Sequence, residues 1–373
     1  MMTDTKILDN LISIDSQCTR SNEEIVRFLE NLFGEFECKK FSIKKPSFNV
    51  FNLMVRIPGN QSNRPLIFSG HTDTVPVADG WTKNPFIPFL KGDRIYGLGS
   101  TDMKGGIASF SAAVLALTKK PAQDIYLLFD ADEEGELAGG MDFIKKMNFD
   151  QCSPNVIIAE PTNCLMEVGQ NGNYDIKVTF SGQSFHSSRT SPFKTKRFSA
   201  IDKARRFMNE IDKLSLDLAM LKDGRFGSPK VAVCQIEGGS APNVIPGSCS
   251  LVVNRRIVPS EDMNAVYNTI RNIARKIDNN CIMEILFNGP PFVVDQQSGL
   301  FRRVASISRQ IIGHRRTSIS AGWTQAGLFK KWGPCLIWGP GVKDMCHKID
   351  EYTSLKQIYA MTRGYRKLIS MNE

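Results

Sequence analysis

The sequence predicts an α/β fold: a main domain with a mostly parallel central sheet flanked by helices, and a smaller domain inserted into it. Short apolar runs of strand length alternate with stretches of helical periodicity, which is typical of parallel strands buried on both faces. A middle stretch instead has the order β-α-β-β-α-β, that of a ferredoxin-like α+β unit. The predicted main domain comprises residues 1–173 and 288–373, and the predicted insertion comprises residues 174–287.

Length and composition suit a globular protein of two domains, with 373 residues of which 42% are hydrophobic. Residues 1–13 are polar and charged, and no uninterrupted apolar run reaches about 18 residues, so we expect a cytoplasmic protein without a membrane partner. Nine cysteines, an odd number without a Cys-x-x-Cys pair, indicate core thiols in a reducing compartment rather than a disulfide framework.

The formal net charge of +9 raises the question of a nucleic-acid partner. The basic clusters are short and scattered, as at Lys39-Lys40, residues 194–197 and Arg315-Arg316, and no aromatic platform or binding motif accompanies them. We therefore expect no nucleic-acid partner, and a basic surface that attracts small anionic substrates.

The first predicted elements lead to a histidine. Ser21-Asn22-Glu23-Glu24 is a capping-box pattern that predicts the start of a surface helix, and residues 51–57 alternate like a strand. The apolar run of residues 65–70 predicts a further strand, which is followed at once by His71-Thr72-Asp73. Asp73 is placed to accept a hydrogen bond from the imidazole, as happens for metal-binding histidines, although a lone His-x-Asp is also a common structural pair.

Residues 97–106 form a glycine-rich loop ahead of a predicted helix at residues 107–117. The loop has neither the Walker spacing nor the dinucleotide spacing, so it is not a phosphate-binding loop. Its glycines instead allow the backbone to come close to a group near Asp102.

Four carboxylates crowd the end of the apolar run of residues 125–129, at Asp130, Asp132 and Glu133-Glu134. Ionised groups at this density repel one another, and they are tolerated where cations or hydrogen-bond donors hold them. A metal site and a solvated acidic turn both remain open from this segment alone. In the first case, one glutamate binds metal and its neighbour handles a proton.

Two further strands end in metal-ligand residue types. The run of residues 155–159 leads into Glu160 after a predicted helix at residues 137–147, and the late run of residues 335–338 leads towards His347. Because ligands bind outside the carboxyl ends of parallel strands, these side chains are expected to converge with those that follow the earlier strands.

The inserted domain has its own predicted elements. The strands are residues 174–181, 231–236, 249–257 and 282–287, and the helices are residues 200–214 and 261–277. In this order the two ends of the domain lie side by side, as an insertion requires.

Five segments in sequence order carry a family resemblance. They are Gly70 to Pro76 with His71, Gly97 to Gly106 with Asp102, Asp132-Glu133-Glu134, Glu160-Pro161-Thr162, and the late His347. Together they resemble the M20 family of dinuclear metal-dependent peptidases and deacylases, over nearly the whole chain. The resemblance implies that the main domain is catalytic and that the insertion is a dimerisation and lid domain.

The resemblance also implies a site for two divalent ions. Its metal ligands are His71 and Glu160 for one ion, Glu134 and His347 for the other, and Asp102 as the bridge. Mixed imidazole and carboxylate ligands suit Zn²⁺, with Co²⁺ or Mn²⁺ as substitutes.

The same resemblance assigns the catalytic roles. Asp73 orients His71, and Glu133 is the general base for attack by a hydroxide held between the ions. The family further implies a cis peptide bond between Asp102 and Met103.

In the inserted domain, residues 182–188 resemble the family segment whose histidine, here His186, reaches across a homodimer interface and donates to the oxyanion. Asn243 and Arg256 lie in segments that resemble substrate-contacting ones, with Arg256 as a clamp for a substrate carboxylate. An ordinary surface ion pair is an equally open interpretation of Arg256.

The reaction implied is the removal of an acyl group from an N-acyl amino acid. Residues 323–326 and 339–352 look most like the acetylornithine deacetylase branch, so N-acetylornithine is the leading small-molecule substrate. Succinyl-diaminopimelate desuccinylase, a dipeptidase or a carboxypeptidase are the alternatives with the same chemistry, and a catalytically inactive binding protein is the alternative of another class. Gln325 and Asn254 depart from the family pattern, where Glu and Asp are usual. Gln325 thereby lacks a negative charge that would face a cationic substrate tail.

Overall fold

The computed structural model describes residues 2–149, 151–320 and 322–371, and the side chains of residues 61–63 are outside the description. The chain divides into two compact units. The larger unit comprises Met1–Gly169, Val294–Ser318 and Thr324–Glu373, and the smaller unit comprises Gln170–Val293 and Ile319–Trp323.

The helices of the described residues, numbered in chain order, are α1 Asp4–Ser13, α2 Glu23–Leu32, α3 Gly105–Leu115, α4 Ala138–Lys146, α5 Pro192–Phe198, α6 Ala200–Met220, α7 Met263–Ile277, α8 Gly299–Ile311, α9 Ala326–Phe329 and α10 Leu355–Ser370. The strands are β1 Glu37–Lys44, β2 Asn49–Ile57, β3 Gln61–His71, β4 Phe89–Lys91, β5 Arg94–Tyr96, β6 Gln123–Asp130, β7 Asn155–Ile158, β8 Met166–Gln170, β9 Gly172–Ser181, β10 Phe185–His186, β11 Lys230–Gly238, β12 Val244–Ile245, β13 Ser248–Ile257, β14 Ile282–Gly289, β15 Phe292–Val293, β16 Thr317–Ser320, β17 Cys335–Ile337 and β18 Tyr352–Ser354.

The central sheet of the larger unit has the strand order β1-β2-β6-β3-β7-β17-β8. The four middle strands, β6, β3, β7 and β17, are parallel, and the outer strands β1, β2 and β8 are antiparallel to their neighbours. The middle strands contain apolar runs, such as residues 125–129 of β6, because both faces of the sheet are covered, and β7 is buried at each of its positions. The predicted mixed α/β fold with a parallel sheet core is confirmed.

Helix α3 is the central helix of the larger unit. All its residues from Gly105 to Val114 are buried, since it packs on β3 and is itself covered by α1 and α10. The rings of Phe68 and Phe110 stack at a centroid distance of 5.9 Å. Helix α10 contributes one apolar face, with Ile358, Met361 and Tyr365 fully buried at helical spacing. This packing fixes the start of α3, next to the glycine-rich loop.

The smaller unit contains a four-stranded antiparallel sheet of order β11-β13-β9-β14 with helices α6 and α7 on one face. Side chains alternate along β13, where Leu251 and Val253 point into the core, and α6 adds Phe207 and Ile211 to the same core. The order of strands and helices is that of the ferredoxin-like unit expected from the sequence.

Two further properties of the described residues concern the hydropathy of the helices and the state of the cysteines. Within the described segments, no helix is both long and apolar enough to cross a membrane. All nine cysteines lie in those segments and are free thiols.

The capping box predicted for α2 is not formed as expected, although the hydroxyl of Ser21 accepts from the N–H of Glu23 at 3.3 Å. The helix begins one residue later than predicted, with Asn22 as its N-cap residue. The Asn22 side chain makes no capping hydrogen bond. Instead its amide binds both backbone groups of Phe51 on β2 and the hydroxyl of Thr72, at 2.8–2.9 Å. Asn22 therefore anchors the segment after β3 rather than the helix end.

Candidate active site

The carboxyl ends of three neighbouring parallel strands bring the predicted site residues to one edge of the sheet. His71, at the end of β3, is the register partner of Asp130 at the end of β6, and Ser69 is the partner of Ile158 at the end of β7. The acidic turn at residues 132–136 follows β6, and Glu160 follows β7. Sequence-distant carboxylates thus start from adjacent strand ends.

The glycine-rich loop carries Asp102 to the same edge. Gly99 has φ +76°, and a Cβ atom there would lie 2.6 Å from Cγ2 of Thr74. A Cβ atom on Gly106 would lie 2.1 Å from the carbonyl oxygen of Ala159, so the first turn of α3 packs on the backbone beside Glu160. Glycine is required at both positions because no side chain fits. The peptide bond between Asp102 and Met103 is cis, as the resemblance implies.

Asp102 lies between the two histidines. Its Oδ1 atom is 3.2 Å from Nε2 of His71, and its Oδ2 atom is 3.5 Å from Nε2 of His347. Glu160 lies on the His71 side, with Oε1 3.8 Å from Nε2, and Glu134 lies on the His347 side, with Oε1 2.9 Å from Nε2. Two groups of possible metal ligands therefore share one carboxylate.

His71 and Glu133 belong to the same cluster. Ligand atoms of His71, Glu133 and Glu134 also lie within 4.8 Å of one another. Nδ1 of His71 is 2.9 Å from the carbonyl oxygen of Asp73, which can only accept, so Nδ1 carries a hydrogen and Nε2 is the nitrogen that faces the carboxylates. Asp73 thus contacts His71 chiefly through its backbone, because its nearest carboxylate oxygen is 3.8 Å from Nδ1.

The carboxylate of Asp73 instead holds the acidic turn. It accepts hydrogen bonds from the backbone N–H groups of Glu133 at 3.1 Å and Glu134 at 3.0 Å. On the other side of the turn, the ammonium of Lys45 contacts the buried carboxylate of Asp132, whose φ is +63°. Both anchors fix the backbone from which the two glutamates project.

The buried groups of the cluster titrate away from their ordinary ranges. Burial alone would lower the pKa of His71, but Glu160 and Asp102 raise it well above the usual value. Hydrogen bonds to Asp102 and Glu134 raise the pKa of His347 to about 10. Burial raises the pKa values of Glu133 and Glu160 well above the usual range. The raised pKa values favour protonation of these imidazole and carboxyl groups. Binding of divalent cations to the same groups would displace those protons.

The remaining predicted site residues belong to the smaller unit. His186, on β10, is exposed, and its Nδ1 atom is 2.8 Å from the hydroxyl of Ser188. Asn243 is next to it, because its carbonyl oxygen accepts from the N–H of Ser187 at 2.9 Å. Arg256 lies on β13, half-buried, opposite Lys230 on β11.

The two departures from the family pattern have local partners. Gln325 is 1% exposed, and its amide donates to the buried carboxylate of Asp130 at 2.6 Å. The expectation that position 325 faces a substrate tail is therefore wrong, because its side chain is packed inside the larger unit. Asn254 donates to Asn173 at 2.7 Å and to Asp175 at 2.6 Å, within the smaller unit.

Two buried charged side chains near the cluster were not predicted from the sequence. Glu351 and Lys104 are both buried, at 1% and 0% exposure, and Lys104 donates to the carbonyl oxygen of Ile14 at 3.0 Å. Nothing in the sequence separates Glu351 from its acidic neighbour Asp350. The one sequence signal for Lys104 is its position as a charged residue immediately before a helix that contains no charged residue.

The chain is similar to known proteins over nearly its whole length. The model of the family described as Peptidase family M20/M25/M40 matches residues 67–371. The chain is 28% identical to acetylornithine deacetylase of Buchnera aphidicola subsp. Schizaphis graminum, over 98% of this chain and 96% of the relative. It is 31% identical to a probable succinyl-diaminopimelate desuccinylase of Staphylococcus aureus, over 94% and 95%.

A solved structure shares the fold. An M20 family metallo-carboxypeptidase from Sulfolobus solfataricus superposes with a TM-score of 0.77 at 17% identity, over 99% of each chain. The family model and the full-length relatives together show that the chain belongs to peptidase family M20/M25/M40, and is a metal-dependent hydrolase of amide bonds.

Proposed function

We propose that the cluster holds two divalent metal ions and that the enzyme removes the acyl group from an N-acyl amino acid. The observation that carries the proposal is the position of Asp102, whose two carboxylate oxygens face different histidines, His71 and His347. In this proposal His71 and Glu160 bind one ion, Glu134 and His347 bind the other, and Asp102 bridges them.

The residues present fit such a site chemically. Imidazole and carboxylate are ligands for Zn²⁺, which we propose as the metal, with Co²⁺ and Mn²⁺ as substitutes. The three carboxylates of Asp102, Glu134 and Glu160 balance three of the four positive charges of two divalent ions. About one net positive charge remains, which favours negative charge developing on the substrate.

The proposed mechanism assigns the proton transfers to Glu133. Two divalent ions held by these ligands would supply Lewis acidity at this position. Glu133 accepts the proton of the attacking water and passes it to the nitrogen of the departing amine, so that the products are a carboxylate and an amino acid. Asp73 fixes the backbone of Glu133 through its hydrogen bond to that residue's N–H group.

The smaller unit supplies the proposed contacts to the substrate. His186 donates a hydrogen bond to the oxyanion from the partner subunit of a homodimer, and its exposed side chain supports an intermolecular role. We propose that Arg256 binds the substrate carboxylate and that Asn243, beside His186, contacts the substrate. Arg256 is suited to bidentate recognition of a carboxylate.

N-acetylornithine is the proposed substrate, and N-succinyl-diaminopimelate is the second candidate. Relatives with these two names cover nearly the whole chain at similar identity, 28% and 31%. The net charge of +9 favours the second candidate, because the succinyl group adds a carboxylate.

Parallel assays separate the candidates. Purified enzyme loaded with Zn²⁺ is given N-acetylornithine, N-succinyl-diaminopimelate and a dipeptide under one set of conditions, and the free amine is measured. We expect the highest kcat/KM for N-acetylornithine. Preferential hydrolysis of the succinylated substrate would assign the second function, and preference for the dipeptide would contradict deacylation as the main activity.

A further inference from the structure

A buried carboxylate that the mechanism does not use lies beneath the loop that carries Asp102. Glu351 is 1% exposed and follows His347 by four residues. Its Oε1 atom accepts from the N–H groups of Thr101 at 2.7 Å and Asp102 at 3.0 Å, and its Oε2 atom accepts from that of Gly99 at 2.9 Å. One side chain therefore binds three backbone donors of one loop.

The backbone beside Glu351 makes further bonds to the same loop. The carbonyl oxygen of Glu351 accepts from the N–H of Gly97 at 3.0 Å, and that of Tyr352 accepts from the hydroxyl of Thr101 at 2.7 Å. The segment 347–352 thus carries His347 at one end and holds the Asp102 loop at the other.

This arrangement links the two ligands that face each other across the proposed site. The position of the Asp102 carboxylate between His71 and His347 depends on the backbone of residues 99–102, and that backbone is held by Glu351. Glu351 itself is not a member of the ligand groups found among the described residues. Its contacts are with backbone N–H groups.

We propose that Glu351 is a positioning residue, which holds the loop of residues 99–102 so that Asp102 can bridge two metal ions. The inference rests on the proposed function. Partners outside the ligand sphere fix the orientation of ligands, and their replacement typically lowers metal affinity about 10–100-fold.

A carboxylate is required because every atom that faces Glu351 in these bonds is a donor. In Glu351→Gln, one acceptor oxygen becomes an NH₂ group that points at an N–H group, so at least one of the three bonds is lost. In Glu351→Asp, the charge is kept but the carboxylate is one methylene too short to reach all three donors. The two variants therefore separate the loss of an acceptor from the loss of reach.

The neighbouring Asp350 offers a matched control. Its carboxylate accepts from the N–H of Thr82 at 2.9 Å and from the hydroxyl of Thr82 at 3.1 Å. Asp350 therefore holds a loop that contains none of the proposed metal-binding residues. Asp350→Asn changes the same kind of group on the same segment.

The test is calorimetric titration of the metal-free, full-length proteins with Zn²⁺, in the absence of substrate. We expect Glu351→Gln and Glu351→Asp to bind at least one ion about 10–100-fold more weakly than the wild type. Asp350→Asn should bind as the wild type does. In the loaded variants of Glu351, kcat should fall while KM changes little, because Glu351 is placed behind the loop and not against substrate.

Wild-type Zn²⁺ affinity in both Glu351 variants would overturn the proposal. If neither variant folds, the proposal is tested by amide hydrogen exchange of the wild-type protein. The N–H groups of Thr101 and Asp102 should be strongly protected, and rapid exchange at these groups would overturn the proposal. Wild-type protein that binds Zn²⁺ but cleaves no acyl substrate would contradict the proposed reaction alone, because the affinity comparison uses no substrate.

Discussion

Asp102 is the residue on which the proposed site depends most directly. Its two oxygens lie 3.2 Å and 3.5 Å from the imidazoles of His71 and His347, so each oxygen is directed at a different group of ligands. A carboxylate has lone pairs on both oxygens and can bind two cations at once, whereas an amide has one such oxygen. Position 102 therefore requires a carboxylate if it is to bridge two metal ions.

The buried pair of Gln325 and Asp130 leads to a prediction about stability and pH. Gln325→Glu replaces the amide that donates to Asp130 at 2.6 Å with a second buried carboxylate. Because two charges then meet without a donor between them, we expect a loss of roughly 3 kcal/mol in unfolding free energy at pH 8. Thermal unfolding of the metal-free proteins measures it.

The pH dependence has a definite sign. Burial raises the pKa of Asp130 from 3.8 to about 6, so its carboxyl group contributes stability that is fully present below pH 3.8 and is lost as the pH rises through about 6. A second carboxylate raises this pKa further. The Tm deficit of Gln325→Glu should therefore be larger at pH 8 than at pH 5.

A double variant is the control for this pair. Asp130→Asn combined with Gln325→Glu restores one amide and one carboxylate in exchanged positions, and it should recover most of the lost Tm. An equal deficit at both pH values, or no recovery in the double variant, would show that the loss does not come from the paired charges.

The sequence predicted residues that carry a recognisable pattern and missed those that only packing defines. Most of the ligand-type residues follow a strand end or lie in the glycine-rich loop, and the late His347 was found through the family resemblance. The structure brings six of them together, namely His71, Asp102, Glu133, Glu134, Glu160 and His347. Gln325 was identified as a departure but was placed against a substrate, because sequence alone does not give burial. Glu351 and Asp350 are adjacent acids with different partners, and only the fold distinguishes them.

At the scale of elements, the acidic turn after β6 is held from two sides. Asp73, after β3, accepts from the backbone of Glu133 and Glu134, and Lys45, in the turn between β1 and β2, contacts Asp132. The outer hairpin therefore supports the turn that follows the neighbouring strand β6, although Lys45 and Asp132 are 87 residues apart in the chain. This link has no sequence signal, since Lys45 stands in a basic, polar stretch.

Removing the ammonium of this link should destabilise the larger unit. The Lys45 side chain is 11% exposed and that of Asp132 is 0% exposed, so Lys45→Met leaves a buried carboxylate without its cation. We expect a loss of about 3 kcal/mol, which lowers Tm by roughly 6 °C or more in the metal-free protein. Differential scanning calorimetry measures the shift.

Lys40→Met is the matched control, because Lys40 lies on β1 and pairs with Glu30 at 3.4 Å on the surface. Its Tm should change little. Adding Asp132→Asn to Lys45→Met should recover part of the loss. A Tm for Lys45→Met equal to that of Lys40→Met would contradict the proposed link.

Strand ends were predictable and helix starts less so. The apolar runs before His71, Glu133 and Glu160 identify buried parallel strands, because burial on both faces removes polar positions. The start of α2 was missed because Asn22 uses its amide on Phe51 and Thr72, contacts that join residues 29 and 50 positions apart. Such long-range bonds compete with local capping and leave no local pattern.

At the scale of the whole molecule, the proposed homodimer makes a prediction about mixed subunits. If His186 acts in the partner's site, Glu133→Gln and His186→Ala homodimers are both impaired for different reasons. A mixed dimer has one site with an intact Glu133 and an intact His186 from the other subunit. Random 1:1 mixing during refolding or coexpression should restore about a quarter of wild-type activity.

The mixing experiment also tests the alternative that His186 acts within its own subunit. When His186 acts within its own subunit, no mixed dimer contains a complete site and activity stays at the sum of the two parents. Size-exclusion chromatography with light scattering must show a dimer under the assay conditions, and a fully active monomer would dispose of the role across subunits.

The fold class followed from the sequence because two different patterns are present in one chain. Apolar strand runs separated by helical stretches indicate the parallel sheet core, while residues 174–287 alternate along half-buried strands such as β13, as in an antiparallel sheet covered on one face. Residues 51–57 were predicted as a strand and form most of β2, whereas β1 and β8 were not predicted from the sequence.

The proposed metal site and the role of Glu133 can be tested together by Zn²⁺ titration of the metal-free enzyme and of Glu133→Gln, with hydrolysis of N-acetylornithine and N-succinyl-diaminopimelate followed in the same samples. We expect that both proteins bind two ions with similar affinity, that the wild type gains activity as the ions bind, and that kcat in the variant is about 10²–10⁴-fold lower. Metal-loaded Glu133→Gln with wild-type kcat would contradict the assignment of Glu133 as the general base, and wild-type activity that needs no divalent ion would contradict the metal site itself.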